Sequence, residues 1–270
     1  MKLMKNILQK YHPLLFMLLS AVLLVSACSD DNSTSPIVEP DPDPEPVLVD
    51  IPDSRLLAQI RIALEVDDST PITKELMLEL VTLDIDGSDD FSGDITEISN
   101  LTGLEYAENL EYLRLSYTAI TDLSPISELE KIEYLRFNNT PITDISPIAN
   151  FRNLTYFNAN TVTGLTDISP LAGNTGLKEA IFRDVPFGNE GLETIRNFSE
   201  IYRINMRSTG VTDLTIVGEM MAGGALLDST PGAEENGGAS LDLRGLSIDD
   251  WTPIEPYVDQ ISNLSGYPGS

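Results

Sequence analysis

The chain is 270 residues long and 41% hydrophobic, with 43 acidic against 16 basic residues and a formal net charge of −27. That charge excludes nucleic acid and bare anionic lipid as partners, because both are polyanionic and repel it. A single cysteine excludes an internal disulfide, and the length admits one sizeable domain.

Residues 1–27 read as a signal peptide. "MKLMKNILQKYHP" carries Lys2, Lys5 and Lys10 and no acid, and "LLFMLLSAVLLV" follows with twelve residues that are apolar but for Ser20. A basic stretch ahead of an apolar run too short to span a bilayer is the pattern of a secretory signal. "VSAC" then closes on Cys28, the only cysteine. It resembles a bacterial lipobox, which implies cleavage before Cys28 and acylation of that residue, palmitate included. The plainer reading is a non-lipidated secretory signal with a chance cysteine. Asp30 and Asp31 just beyond resemble the acidic surface-export signal of lipoproteins in the Bacteroidetes group. The implied address is the outer membrane, lipid-anchored and at the cell surface. Loss of the three lysines takes the formal charge from −27 to −30, so the lipid is the sole expected membrane contact.

Residues 28–49 form an acidic, proline-rich linker. In "SPIVEPDPDPEPV" proline alternates with acid, which favours extended polyproline conformations stiffened by like-charge repulsion. Too few apolar side chains are present to offset the entropy of ordering. Residues 50–79 predict a helical N-terminal cap. "DSRLLAQIRIALEV" spaces Leu56, Leu57, Ile60 and Leu64 at helical intervals, and "TKELMLEL" supplies a second short helix.

Residues 80–270 are organised by repetition. "ITDLSPIS", "ITDISPIA" and "LTDISPLA" recur at near-fixed spacing, and segments beginning at Leu110, Ile132, Leu154, Leu177 and Ile201 follow one another at intervals of 22, 22, 23 and 24 residues. Each opens close to L-x-x-L-x-L, as in "LEYLRL" and "IEYLRF". A degenerate copy starts at Leu80, and a later one runs from Leu241 to Thr252-Pro253. This period and consensus are those of leucine-rich repeats. Leu113 and Leu115 alternate with Tyr112, Arg114 and Ser116, the period of a half-buried strand, and one such strand buries its face only by stacking on copies of itself. The expected fold is therefore an α/β solenoid: a leucine-rich-repeat horseshoe with a parallel β-sheet on the concave face and short 3-10 or helical corners on the convex face. At the corners, Ser124 is predicted as an N-cap with Pro125 at the first helical position, and Ser146-Pro147, Ser169-Pro170 and Thr252-Pro253 repeat the device. Asp122, Asp144, Asp167 and Asp213 are expected to satisfy backbone donors there. Thr118, Thr140 and Thr209 are expected to form a hydroxyl ladder that satisfies backbone groups inside the coil. "GEMMAGGALLDSTPGAEENGG", residues 218–238, breaks the period and is predicted as a loop insertion.

Residues from about 50 to 265 resemble internalin-like bacterial leucine-rich-repeat proteins of the 22-residue type; "NLEYLRLSYTAITDLSPISEL" is a near-consensus copy. The resemblance implies partner binding through the concave sheet. After Leu177, "LKEAIFRDVPFGNEGLETI" departs from the family by lacking the Ser-Pro corner, so a fuller helix is expected there.

No enzyme chemistry stands out. His12 is the only histidine and lies in the signal peptide, which leaves neither a histidine-based triad nor a histidine-ligated metal site, and no spacing of acids singles out a carboxylate pair. "DIDGSDDFSGD", Asp84 to Asp94, departs from a calcium-binding EF-hand loop, with Asp89 in place of the sixth-position glycine and Ile95 in place of the closing glutamate. It reads as a plain acidic loop. No metal and no cofactor are predicted.

The concave face is the informative surface. Three outward columns follow from the strand frame. The first holds Tyr112, Tyr134, Tyr156, Glu179 and Arg203; the second Arg114, Arg136, Asn158, Ile181 and Asn205; the third Ser116, Asn138, Asn160, Arg183, Arg207 and Arg244. Arginines that merely neutralise neighbouring acids, beside tyrosines that merely suit strands, are one explanation. The other is a binding face, since Tyr and Arg are enriched at binding hot spots. On that reading Tyr112, Arg114, Tyr134, Arg136, Tyr156, Asn158, Arg183, Arg203, Arg207 and Arg244 contact a protein or peptide, an acidic one included, or a glycan. Sugar platforms favour tryptophan, and the one tryptophan, Trp251, falls at the inward corner position of Leu123, which favours protein.

If Cys28 is the anchor, Cys28→Ser is expected to abolish labelled fatty-acid incorporation and release the protein from membranes. Membrane association unchanged in that variant would overturn the lipobox assignment.

Overall fold

Leu113 and Leu115 in β2 (Tyr112–Ser116) are fully buried, and Tyr112 and Arg114 between them are half-exposed. That strand joins β1 (Thr82–Asp86), β3 (Tyr134–Arg136), β4 (Tyr156–Asn158), β5 (Glu179–Ile181), β6 (Arg203–Asn205), β7 (Ser240–Asp242) and β8 (Asn263–Ser265) in one parallel sheet paired in chain order, and the residue aligned with Leu113 is buried in each but β8, where Leu264 is half-buried. These elements belong to a computed structural model that describes residues 45–89 and 93–268. Cys28, the 1–27 signal peptide and most of the acidic linker lie outside the described residues, as do Asp90, Phe91 and Ser92 of the acidic loop.

The register is strict. Leu83 faces Leu113, which faces Leu135, followed by Phe157, Ala180, Ile204, Leu241 and Leu264. Equivalent side chains therefore stack in columns one strand spacing apart, ~4.8 Å. The inner columns fuse into a continuous core with Phe137, Phe157 and Phe182 at its centre, their rings in tilted or edge-to-face contact at 5.4 and 5.6 Å. The horseshoe predicted from the repeats is the fold.

Short 3-10 turns at Ser124–Ile126, Ser146–Ile148 and Ser169–Gly173 form the corners. The expected cap assignment needs correcting. Asp122, not Ser124, caps the turn: its carboxylate accepts the Ser124 N–H at 2.8 Å, which puts Ser124 first in the turn and Pro125 second. Asp144, Asp167, Asp213 and Asp250 repeat the bond at 2.7–2.9 Å. A carboxylate two residues ahead of an N–H closes an Asx turn, and proline can follow because its missing donor is not called upon. The threonines satisfy backbone groups inside the coil, as expected. Thr118, Thr140 and Thr209 each donate to a carbonyl three residues back in their own coil (Leu115, Phe137 and Met206), at 2.7–2.9 Å.

One residue per coil is left-handed: Tyr117, Asn139, Thr161, Asp184 and Ser208 all have φ between 56° and 60°. Each sits just past its strand and donates its N–H to a carbonyl of the next coil, for example Thr161 to Arg183 at 2.8 Å. The reversal aims that last donor at the neighbour while turning the chain toward the convex side.

Helix α1 (Ser54–Ala63) covers the β1 end, with Leu56 and Ile60 fully buried. Asp53 caps it by accepting from the Arg55 and Leu56 N–H groups, while its second oxygen accepts from Ser99 at 3.0 Å. A single turn, α2 (Lys74–Met77), is capped by Thr73. The coil lacking a Ser-Pro corner carries α3 (Gly188–Ile195), buried along Leu192 and Ile195. The 218–238 segment is not an open loop. Its start belongs to α4 (Thr215–Ala222), and Met220, Met221, Leu226 and Leu227 are buried, so it folds against the last coils. Gly218 permits this approach, since a Cβ there would meet the Pro253 carbonyl oxygen at 2.4 Å.

Thr161 is β-branched in a left-handed conformation, which costs about 1–2 kcal/mol relative to a residue that tolerates it. Thr161→Asn keeps the backbone bond and is expected to raise the thermal midpoint. A lowered midpoint would show that the threonine side chain outweighs the backbone strain.

Candidate ligand-binding face

The register that stacks the core stacks the outer columns too. Tyr112 faces Tyr134, which faces Tyr156, and their rings lie parallel with centroids 4.1 and 4.2 Å apart. Burial between neighbouring rings disfavours the phenolate. It pushes all three hydroxyls above the ordinary tyrosine range, with Asp84 adding to the effect at Tyr112, and takes Tyr156 to about 12. The Asn158 amide donates to the Tyr156 hydroxyl at 2.9 Å and its carbonyl oxygen accepts the Asn160 N–H, so Asn158 is buried with both ends engaged.

The six arginines are not equivalent. Arg114 is clamped by Asp84 and Asp86 of β1 and donates to Ser116 as well. These two aspartates of the acidic loop thus hold a guanidinium. Arg203 pairs with Glu179 at 2.8 Å and donates to the Asn236 carbonyl at 3.3 Å, which ties the folded insertion to the sheet; the Tyr202 hydroxyl takes the other Glu179 oxygen at 2.7 Å. Burial between them pushes the Tyr202 hydroxyl up as well. Arg244 forks onto Asp242 at 2.8 and 2.7 Å. Burial would raise the Asp242 carboxyl, but the Arg244 bonds outweigh it and hold the group below the ordinary range, with the Arg207 charge contributing from farther away. Arg183 leans on its chain neighbour Asp184 at 3.3 Å and is well exposed. Arg136 donates to the neutral Asn138 amide, and Arg207 has its N–H, not its guanidinium, bonded to Asn205. Among the described residues, neither Arg136 nor Arg207 has a carboxylate in ion-pairing distance.

All ten predicted contact residues thus lie on one sheet face, yet four of the six arginines already serve an internal acid. Arg114 cannot be reversed without cost to stability, because a glutamate at that position would face Asp84 and Asp86. The acid in β7 was the residue the sequence reading passed over. Aligning the later copy on Leu241 puts Asp242 opposite Asn205, beside the arginine column. Trp251 is half-buried and packs edge-to-face on Tyr267 at 5.4 Å, so its indole is part of the last coil and not a platform.

Residues 108–150 match the family model for leucine-rich repeats in two copies. No curated protein is significantly similar to the chain in sequence. Two solved structures share the fold. An internalin (inlF) from Listeria monocytogenes is 24% identical, with a TM-score of 0.56, over 81% of this chain and 71% of that one. Internalin C2 from the same organism is 22% identical, with a TM-score of 0.61, over 79% and 91%. The chain carries leucine-rich repeats and folds as the internalin solenoids do.

The tyrosine stack carries a pH signature. A hydroxyl whose pKa is higher in the folded chain than in the unfolded one adds stability that is complete below about pH 10. That contribution is lost as pH rises through the folded value, about 12 for Tyr156. Tyr156→Phe is expected to shift the alkaline unfolding midpoint upward, followed by phenolate absorbance and circular dichroism together. An unchanged midpoint would mean that the stack does not limit alkaline stability.

Proposed function

We propose that the chain is a lipid-anchored cell-envelope protein, held through Cys28 at the outer membrane and exposed at the surface. There it binds a partner protein or peptide through its Tyr/Arg-lined concave face, without catalysing a reaction. The observation that carries this reading is the concentration of arginine and stacked tyrosine on one face of a chain that is otherwise strongly acidic. Planar cations and rigid aromatic area are what protein-binding hot spots use. The internalin-type fold supports it by offering a long concave sheet at the scale of a polypeptide.

The other reading, capture of a glycan for polysaccharide uptake, finds less support in the same residues. Sugars stack on open aromatic faces. Here Tyr134 has both faces covered by its neighbours at 4.1 and 4.2 Å, and only the outer faces of Tyr112 and Tyr156 remain. The stack offers ring edges and hydroxyls, which suit amide and side-chain contacts better than a sugar plane.

Arrays of extracellular proteins, peptides and glycans probed with the purified chain are expected to register protein or peptide ligands. Tyr134→Ala and Arg136→Glu should each weaken that binding by about tenfold or more. Glycan ligands alone, or protein ligands indifferent to both variants, would count against the proposal.

A further inference from the structure

Four of the arginines on the concave face hold acids of this chain, and two do not. Arg136 in β3 and Arg207 just beyond β6 are the guanidinium groups without a carboxylate partner among the described residues. Three strand spacings separate their coils, ~14 Å. Arg207 lies two residues farther along its strand than the column of Arg136, an offset of ~7 Å. An arginine stem spans that.

What lies between them narrows the ligand. The column of Arg136 continues through Asn158, Ile181 and Asn205. Asn158 and Asn205 have their amides committed, the latter to Asp242 at 3.1 Å and to the Arg207 N–H at 3.0 Å. Ile181 is half-buried and apolar in an outer column that is otherwise polar. Beside it, the side-chain oxygen of Asn160 has no hydrogen-bond donor. In order across the sheet, the stretch therefore carries a cation, a buried unsatisfied acceptor, an apolar contact and a cation.

On the concave-face reading above, we infer that this stretch binds an extended peptide segment with two carboxylates four residues apart and an apolar residue between them, of the pattern acid-x-apolar-x-acid, the apolar side chain leaning toward Ile181, which lies two strand spacings from Arg136 and one from the coil of Arg207. In an extended chain residues i, i+2 and i+4 point to one side, and four residues span ~13 Å. The first carboxylate meets Arg136, the middle side chain rests on Ile181, and the last carboxylate meets Arg207. The Asn160 oxygen accepts a peptide N–H after rotation of its amide. Two acids satisfy the two free cations. A denser polyanion gains no further partner and meets Asp84, Asp86, Glu179 and Asp242 instead.

The probe is a fluorescein-labelled, amide-capped Ser-Glu-Ser-Val-Ser-Glu-Ser peptide, titrated by anisotropy into the full chain. Binding is expected, with about tenfold or greater loss for Arg136→Gln, for Arg207→Gln and for each Glu→Gln change in the peptide. Moving the glutamates to a spacing of two should cost as much. Arg196→Gln, at the end of α3 and paired there with Glu193 and Glu219, should leave affinity within about twofold. Failure of the peptide to bind, or equal losses for Arg196→Gln, overturns the two-anchor assignment. In that event protein ligands from the arrays that still respond to Tyr134→Ala would leave the concave-face reading standing, and indifference to Tyr134→Ala would remove both.

Discussion

Parallel, in-register stacking of one coil on the next is the constraint from which the rest of the structure follows. Each side chain on the sheet meets its counterpart in the adjacent coil at one strand spacing, so each position must tolerate a column of itself. Leucine, isoleucine and phenylalanine tolerate it inside, where they exclude water from a core no single coil could build. Tyrosine tolerates it outside, ring on ring, at a gain of about 0.5–1.5 kcal/mol per pair beyond burial. Arginine does not. Arg114 and Arg136 face each other directly across β2 and β3, an arrangement that like charges make unfavourable. The conflict is settled from β1, whose Asp84 and Asp86 both take Arg114. Farther along, Arg183, Arg207 and Arg244 follow one another in a single column, and Asp184 and Asp242 occupy the first and the last of them. The free cations are what remains after the column has been neutralised in alternation.

The fold was legible because the repeat is a statement about burial. Alternation within each strand and a 22-residue return between strands admit few other architectures, and the departure after Leu177 correctly announces α3. What the sequence hid depends on geometry at the ends of elements. Serine before proline looks like a cap, yet the aspartate two residues earlier reaches the N–H first. The left-handed column is written in Tyr117, Asn139, Thr161, Asp184 and Ser208, which are all polar but differ in size and charge, because the requirement falls on the backbone. The broken period of 218–238 predicts a loop insertion, but Met220, Met221, Leu226 and Leu227 carry the signal that it packs. Buried apolar area outweighs the entropic cost of the glycines around them.

On the candidate face, the columns could be read from the repeat, but the pairing could not. Knowing that Arg114 is occupied requires seeing that a degenerate first copy, some thirty residues upstream, stacks in register and supplies two aspartates. Arg203 is occupied partly by the Asn236 carbonyl of the insertion, a contact no strand pattern encodes. Counting arginines on a face measures its composition. Only the register separates those that hold the scaffold from those left to meet a ligand.

Charge acts on two length scales here, and they oppose one another. Beyond about 8–10 Å at physiological ionic strength, an approaching molecule meets little of any single side chain, and at low salt the chain's charge of −27 repels any acidic partner. At contact the unpaired guanidinium groups attract carboxylates through directed, charge-assisted bonds. Added salt screens the repulsion and weakens the attraction together, so a shallow net salt dependence is consistent with arginine-mediated recognition on this scaffold. The partner that gains most from both scales bears a few well-placed acids on a surface that is otherwise neutral or basic. The tyrosine stack adds a rigid, weakly polar wall beside Arg136 with little entropy left to lose on binding. Its neutral hydroxyls keep negative charge away from the site through and well above the physiological range.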